Sequence, residues 1–340
     1  MKQTNIMCLV PDMADSTSWY RAVGPLGHLK NHSDLNLNFL FAQKTDFRNL
    51  KAQLCMHHIL FAQRPFTQEH VNTIEQAKDQ GVRVWVDYDD DLFTVPYDNP
   101  TYPVYGRKEV KENVYKCLQL ADHVTVSTDY LKNKYELINS NITVIKNSFN
   151  PFHFPFRDEH DNYNNVVMWR GSNTHHQDVM TVAGQILDSA ERHQDFEFEF
   201  VGDRLWFLSG RMRNAVITNF MDIVPYHKHI YARSPKVFIV PLHFSDFNRA
   251  KSNIAWLEAT FSGAITIAPK MPEWEVPGVL HYESQVQFGN ALETAITMNK
   301  EKHHAMVTEA WQYAIEHHNL DVVNNKRIEV INKLMEYYKR

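Results

Sequence analysis

Short apolar runs recur along this chain at intervals that leave room for one helix each. Ile6–Val10, Leu37–Phe41, Ile59–Gln63, Val82–Asp87, His123–Ser127 and Thr143–Lys146 read as strands of a first half. Val166–Arg170, Phe196–Val201, Val216–Asn219, Val237–Val240 and Ala264–Ala268 repeat the pattern in a second half. Amphipathic stretches such as Trp19–Asn31, Thr67–Gln80 and Lys108–Ala121 fill the intervals. Alternation of this kind argues for doubly wound parallel sheets with helices on both faces. The stretch from Asn147 to Asn165 is rich in Pro, Asn and aromatics, carries no period, and reads as a connection. We therefore expect a first α/β domain over 1–150, a linker over 151–165, a second α/β domain over 166–318 and a last helix over 319–340.

Composition supports two such domains and narrows the partners. The chain has 340 residues, 44% of them hydrophobic, which exceeds a typical single domain and is ample for two cores. Its net charge of −5 provides no global basic field for nucleic acid or an anionic membrane. Cys8, Cys55 and Cys117 are far apart in apolar contexts and fit reduced, buried thiols of a cytoplasmic protein. The run Ile6–Val10 is too short for a signal peptide, and no segment approaches the roughly 20 apolar residues of a membrane span. The histidine pairs, such as His57-His58 and His175-His176, point their rings apart, so no metal site is assigned.

The run from Phe247 to Pro269, FNRAKSNIAWLEATFSGAITIAP, concentrates the chemistry. It reads as loop, helix, glycine turn and buried strand. Ser252 and Asn253 are good N-cap residues, so the helix should begin there with unpaired N–H groups. A helix start beside Lys251 is a ready site for phosphate, because N–H donors, the helix dipole and a point charge converge. Ile254, Leu257 and Phe261 are spaced to pack on a sheet, with Glu258 among them. Gly263 then ends the helix.

This run resembles the donor-binding segment of GT-B glycosyltransferases, most closely the family-4-like group. Pro241-Leu242, Phe247-Asn248, Lys251-Ser252, Glu258 and Gly263 carry the resemblance. It implies that Lys251, Ser252 and the helix start hold a nucleotide diphosphate, with Asn248 and Asn253 beside them, and that Glu258 binds the ribose. It also implies two Rossmann-like domains facing a cleft, with the C-terminal helix packing back on the first. Where many members carry an earlier glutamate, this chain has Ala250. The glycine pair usual in the first loop is missing too; Gly24 and Gly27 lie inside a helical pattern instead.

Open parallel sheets bind ligands at the carboxyl ends of their strands, and that rule selects further residues. Arg170, Gly171 and Ser172 end a strand of the second half, followed by Thr174, His175 and Asp178 in a W.Gs.tH..D run like that of related sequences. Glycine there lets backbone approach a ligand, and arginine can fork onto phosphate oxygens. Gly202 closes the next strand in the same fashion. In the first half, Tyr20 and Arg21 open the first helix and Arg64 ends the third strand; all three are expected to border an acceptor cleft.

Asp87-Tyr88-Asp89-Asp90-Asp91 closes the strand VRVWV, and such clustered carboxylates repel unless something compensates. An Asp-x-Asp metal site, an acceptor-facing acid and a solvated acidic turn all fit; we take Asp90 and Asp91 as acceptor-facing. The expectation is a metal-independent transferase moving a sugar from a nucleotide-diphosphate sugar to an acceptor hydroxyl. The resemblance implies retention, without a cofactor beyond the co-substrate. Lys251 and Arg170 would then stabilise the leaving group; an inverted product would make Asp90 or Asp91 the base. The acceptor is a glycan or, alternatively, a hydroxymethylated pyrimidine of DNA, for which Arg204, Arg211 and Arg213 offer a basic lip. A non-catalytic nucleotide-sugar binder and a sugar-nucleotide epimerase are the further alternatives.

Overall fold

The computed structural model describes residues 3–12, 15–30, 34–156 and 163–339. In the first half, β1 (Thr4–Val10), β2 (Leu35–Phe41), β3 (Ile59–Gln63), β4 (Arg83–Tyr88), β5 (His123–Val126) and β6 (Ile142–Val144) form a sheet in the order β2-β1-β3-β4-β5-β6. The second half holds β7 (Asn164–Gly171), β8 (Glu197–Gly202), β9 (Ala215–Asn219), β10 (Pro235–Ile239), β11 (Ile265–Pro269) and β12 (Val279–Tyr282), ordered β12-β11-β10-β7-β8-β9. Every pairing in both sheets is parallel. Each order reverses once, between β1 and β3 in the first sheet and between β7 and β10 in the second. Crevices form at such switch points.

The doubly wound expectation is met because the central strands are apolar on both faces. All five residues of β3, β10 and β11 are buried, as parallel strands covered by helices require. Four large hydrophobic clusters flank the two sheets. The sequence reading missed β12. That strand has only four residues, one of them buried, and so shows neither an apolar run nor a clean alternation. Asn164 and Asn165, expected in the linker, already belong to β7, and linker residues 157–162 lie outside the described residues.

Two further expectations need correction. Cys55 is exposed, because it ends the short helix Leu50–Leu54 at the surface; Cys8 and Cys117 are buried, and all three are free thiols. The first helix is not regular either. A turn at Ser16–Ser18 leads into a π-helical turn at Trp19–Val23, where the Gly24 N–H reaches the Trp19 carbonyl, and regular helix resumes at Gly24–Lys30. One extra residue per turn re-aims the side chains around it. Asn31 lies outside the described residues.

The chain passes between the domains twice. Helix Lys300–His317 sets Ala310 and Ala314 against Trp256 and Ala259 of the second domain. Helix Leu320–Met335 then carries Val323, Val330, Ile331 and Leu334 onto Ile6, Cys8 and Leu26 of the first. Each such buried aliphatic side chain contributes about 1.5–3 kcal/mol. The two crossings lie side by side: the Phe149 N–H donates to the His318 carbonyl at 3.0 Å, and the Leu320 N–H to the Phe149 carbonyl at 2.9 Å. No helix among the described residues is long and apolar enough to cross a membrane.

Candidate active site

The carboxyl ends of both sheets face one another across a cavity of about 380 Å³, a size that suits a small ligand. From the second domain come Arg170, Gly171 and Ser172 after β7, Gly202 after β8, and Lys251, Ser252 and Glu258 around helix Ile254–Ser262. From the first come Tyr20 and Arg21 after β1, Arg64 after β3, and Asp89 and Asp90 after β4.

Helix Ile254–Ser262 begins as expected next to Lys251 and ends on Gly263 in the left-handed conformation, φ 81°. Its start differs from the expectation in one respect. Asn253 holds the N-cap position but its side chain makes no capping hydrogen bond, and it is buried outside the cleft lining. Ser252 does not cap either; its Oγ accepts from Asn147 Nδ2 of the first domain at 2.8 Å. The first N–H groups of this helix are therefore without a side-chain cap at the cavity wall. Lys251 stands beside them, with its Nζ 4.6 Å from the centre of the Phe247 ring and 3.6 Å from Asp90 Oδ1.

Gly171 and Gly202 let the ends of β7 and β8 close up. Gly202 has φ 98°, and a Cβ there would lie 2.4 Å from the Gly171 carbonyl oxygen. Ser172 caps the turn that follows by accepting from the Thr174 N–H. Asn248 is displaced from the expected site. It is 1% exposed, does not line the cavity, and donates to Asp178 at 2.8 Å. Asp178 is a hub: it also accepts from the rings of His175 at 2.9 Å and His243 at 2.6 Å. Burial works against its charge, yet these hydrogen bonds hold its carboxyl well below the usual range. His175 lines the cavity, and burial pushes its ring below the ordinary histidine value.

Glu258 sits at the bottom of the cavity, 2% exposed, with three donors around one carboxylate. Arg170 Nε donates to Oε2 at 2.7 Å and Tyr226 Oη to the same oxygen at 2.9 Å. Tyr20 Oη, from the first domain, donates to Oε1 at 2.9 Å. The phenol's one proton lies on Glu258, so the contact of 2.6 Å to His227 Nε2 has the imidazole as donor. Burial, reinforced by the Glu258 charge, pushes both phenols well above their usual range. Sequence reasoning missed Tyr226 and His227; both stand on helix Ile223–Arg233, whose pattern reads as ordinary packing.

The acidic cluster resolves into separate ion pairs. Asp87 is bonded by Arg21 at 2.9 and 2.7 Å, and Arg21 also donates to the Ile145 carbonyl and to Asn147 Oδ1. Arg21 borders the cavity as expected, but it is 2% exposed and its guanidinium is committed to Asp87, Ile145 and Asn147. Arg64 clasps Asp89 at 3.0 and 2.6 Å and touches Asp90 at 3.4 Å. Asp91 does not face the cleft. It is fully buried, accepts from the Phe93 N–H and Thr94 hydroxyl, and pairs with Lys134. Asp90 alone of the expected pair remains in the cavity. Burial opposes its ionisation, but Lys251, Arg64 and His175 hold its carboxyl below the usual range. No group of three or more His, Cys, Asp or Glu suited to a metal occurs among the described residues. Arg204, Arg211 and Arg213 are exposed and do not line the cavity; Arg204 lies over the Trp206 ring.

No protein-family model and no curated protein sequence matches the chain. Solved structures do. Trehalose-6-phosphate synthase OtsA superposes with a TM-score of 0.63 at 11% identity, covering 97% of this chain and 99% of that one. The lipopolysaccharide outer core galactosyltransferase WaaB gives 0.61 at 12%, covering 97% and 100%. UDP-GlcNAc 2-epimerase from Neisseria meningitidis, solved with UDP-GlcNAc bound, gives 0.59 at 10%, covering 97% and 100%. The fold is GT-B. In GT-B terms, the cavity described above is the cleft between the two Rossmann-like domains, and the sequence identities establish the fold alone.

Proposed function

We propose that the protein transfers a sugar from a nucleotide-diphosphate sugar to an acceptor hydroxyl in this cleft. One observation carries the reading: the start of helix Ile254–Ser262, without a side-chain cap and flanked by Lys251, opens onto the cavity where the two sheets meet. N–H donors, helix dipole and ammonium together suit a departing diphosphate. Arg170 gives Nε to Glu258 and lines the same cavity, which brings its guanidinium charge to the diphosphate. The nucleobase fits against Val201, Gly202, Phe220 and Met221, which line the same cavity, and Glu258 orients the ribose hydroxyls. The first-domain wall presents the acceptor, with Asp90 accepting from its hydroxyl.

Retention, which the resemblance implies, suits a site built around its leaving group. An NMR assignment of the product anomer tests it. The cations also make a metal unnecessary in this reading. The first experiment is thermal unfolding with a panel of nucleotide sugars, with EDTA and with Mn²⁺. Ligand at about 100 times its Kd adds roughly 2.7 kcal/mol to the folded state. Stabilisation that survives EDTA and is lost in Lys251→Ala supports the site; no shift, or a shift that needs Mn²⁺, refutes it.

A further inference from the structure

Both groups that the proposed donor needs are already occupied by the opposite domain. Glu258 accepts from the Tyr20 hydroxyl at 2.9 Å, and Tyr20 is fixed from its other side by His227. Lys251 Nζ faces Asp90 Oδ1 at 3.6 Å. The neighbours of Lys251 are held across the cleft as well. Thr128 Oγ1 donates to the Ala250 carbonyl at 3.2 Å, and Asn147 Nδ2 to Ser252 Oγ at 2.8 Å. Three consecutive residues of the phosphate loop thus touch the first domain. Tyr20 itself stands in the π-helical turn at Trp19–Val23.

We propose that the cleft is latched shut by two first-domain side chains that imitate the donor: the Tyr20 phenol stands on Glu258 as a ribose hydroxyl would, and the Asp90 carboxylate stands by Lys251 as the diphosphate would. The chemistry matches on both counts, an O–H donor on a carboxylate and an oxyanion beside an ammonium. Other charges near the pair are Arg170 and Tyr226 around Glu258, and Arg64 and His175 around Asp90. A nucleotide therefore enters only when the domains part, and its apparent affinity is lowered by the fraction of molecules that are shut. The donor half of this inference rests on the function proposed above; the latch itself does not.

The test uses the whole chain, wild type, Tyr20→Phe, Asp90→Asn and the double variant, with UDP, GDP and ADP as probes. Tyr20→Phe keeps the ring in place and removes only the hydroxyl. Losing a competing hydrogen bond to a charged group should tighten binding of whichever nucleotide the wild type takes by about tenfold, and Asp90→Asn by about threefold. If the wild type binds a nucleotide, unchanged or weaker binding of it in Tyr20→Phe overturns the latch while leaving the donor site standing. Small-angle scattering without nucleotide gives the independent readout. The double variant should have a larger radius of gyration than the wild type, and an unchanged radius overturns the latch. If the radius grows but no nucleotide binds any variant, the latch stands and the donor reading falls.

Discussion

The two walls of the cleft rise from the same ends of two parallel sheets, and both hold buried ion pairs. They differ in where a charge is left without a partner of its own domain. On the first-domain wall, Asp87, Asp89 and Asp91 are each matched to Arg21, Arg64 and Lys134 of the same domain. On the second-domain wall, Lys251 has only a distant partner from across the cleft, and the helix beside it lacks a side-chain cap. Buried ion pairs fix geometry at a high desolvation cost, whereas uncapped helix N–H groups suit an anion. In the function proposed above one wall is a frame and the other the receptor, and Asp90 is the residue of the frame that reaches across to Lys251.

Acid should be the strongest challenge to this comparison, because it should strike both halves alike. Burial pushes His70 and His123 of the first domain, His227 and His303 of the second, and His318 at the crossing down to about 4. These folded values lie below the unfolded histidine value near 6.5, so the unfolded chain takes up protons first. The stability they contribute is complete above about pH 6.5 and drains away as pH falls toward 4, at about 1.4 kcal/mol per histidine per pH unit. Urea unfolding at pH 7, 6 and 5 should show a falling midpoint and a single transition; two separated transitions would divide the halves.

Next in size, Lys251→Ala should lower kcat/KM for sugar transfer by about 100-fold with little change in the unfolding temperature. An unaffected rate would strip the receptor wall of its name. Asp91→Asn should do the reverse. It leaves Lys134 without its buried partner and should cost about 2 kcal/mol in urea titration, with nucleotide binding per folded molecule retained. Equal changes of nucleotide binding in Asp91→Asn and Asp90→Asn would erase the distinction between frame and cavity. The smallest effect is expected at Arg327, 1% exposed on helix Leu320–Met335. Its Nη2 has no hydrogen-bond partner, and burial together with the Arg21 charge disfavours its own. Arg327→Met should leave stability unchanged or raise it by about 1 kcal/mol, read from the melting temperature.

How far the sequence could be read follows the same division. Strand and helix are local, so the eleven apolar runs could be placed without knowing their neighbours, while β12, with one buried residue of four, gave no local signal. On the receptor wall, Gly171, Ser172, Gly202, Lys251, Ser252 and Glu258 all reach the cavity. Their positions depend on strand ends and one helix start, which are features of short segments. Asn248 and Asn253 failed because Asp178, 70 residues earlier, draws Asn248 inward, and because Asn253 occupies its cap position without using its amide. The frame wall was less legible. Whether Asp90 or Asp91 enters the cleft is decided by Lys134 and Arg64, which lie 43 residues after Asp91 and 26 before Asp90. Tyr20 could be nominated for the cleft, but its partners Glu258 and His227 stand over 200 residues away.

The paired crossings at Phe149 and Asn319 restrict how the molecule can breathe. A single connecting strand would act as a swivel and allow one domain to spin against the other. Two strands bonded to each other behave like the pin of a door, permitting bending about one axis and resisting torsion. Any parting of the walls should then be a rotation in one plane, largest at the rim farthest from Phe149. A probe on helix Leu320–Met335 would ride with the first domain, although its residues follow the second in the chain.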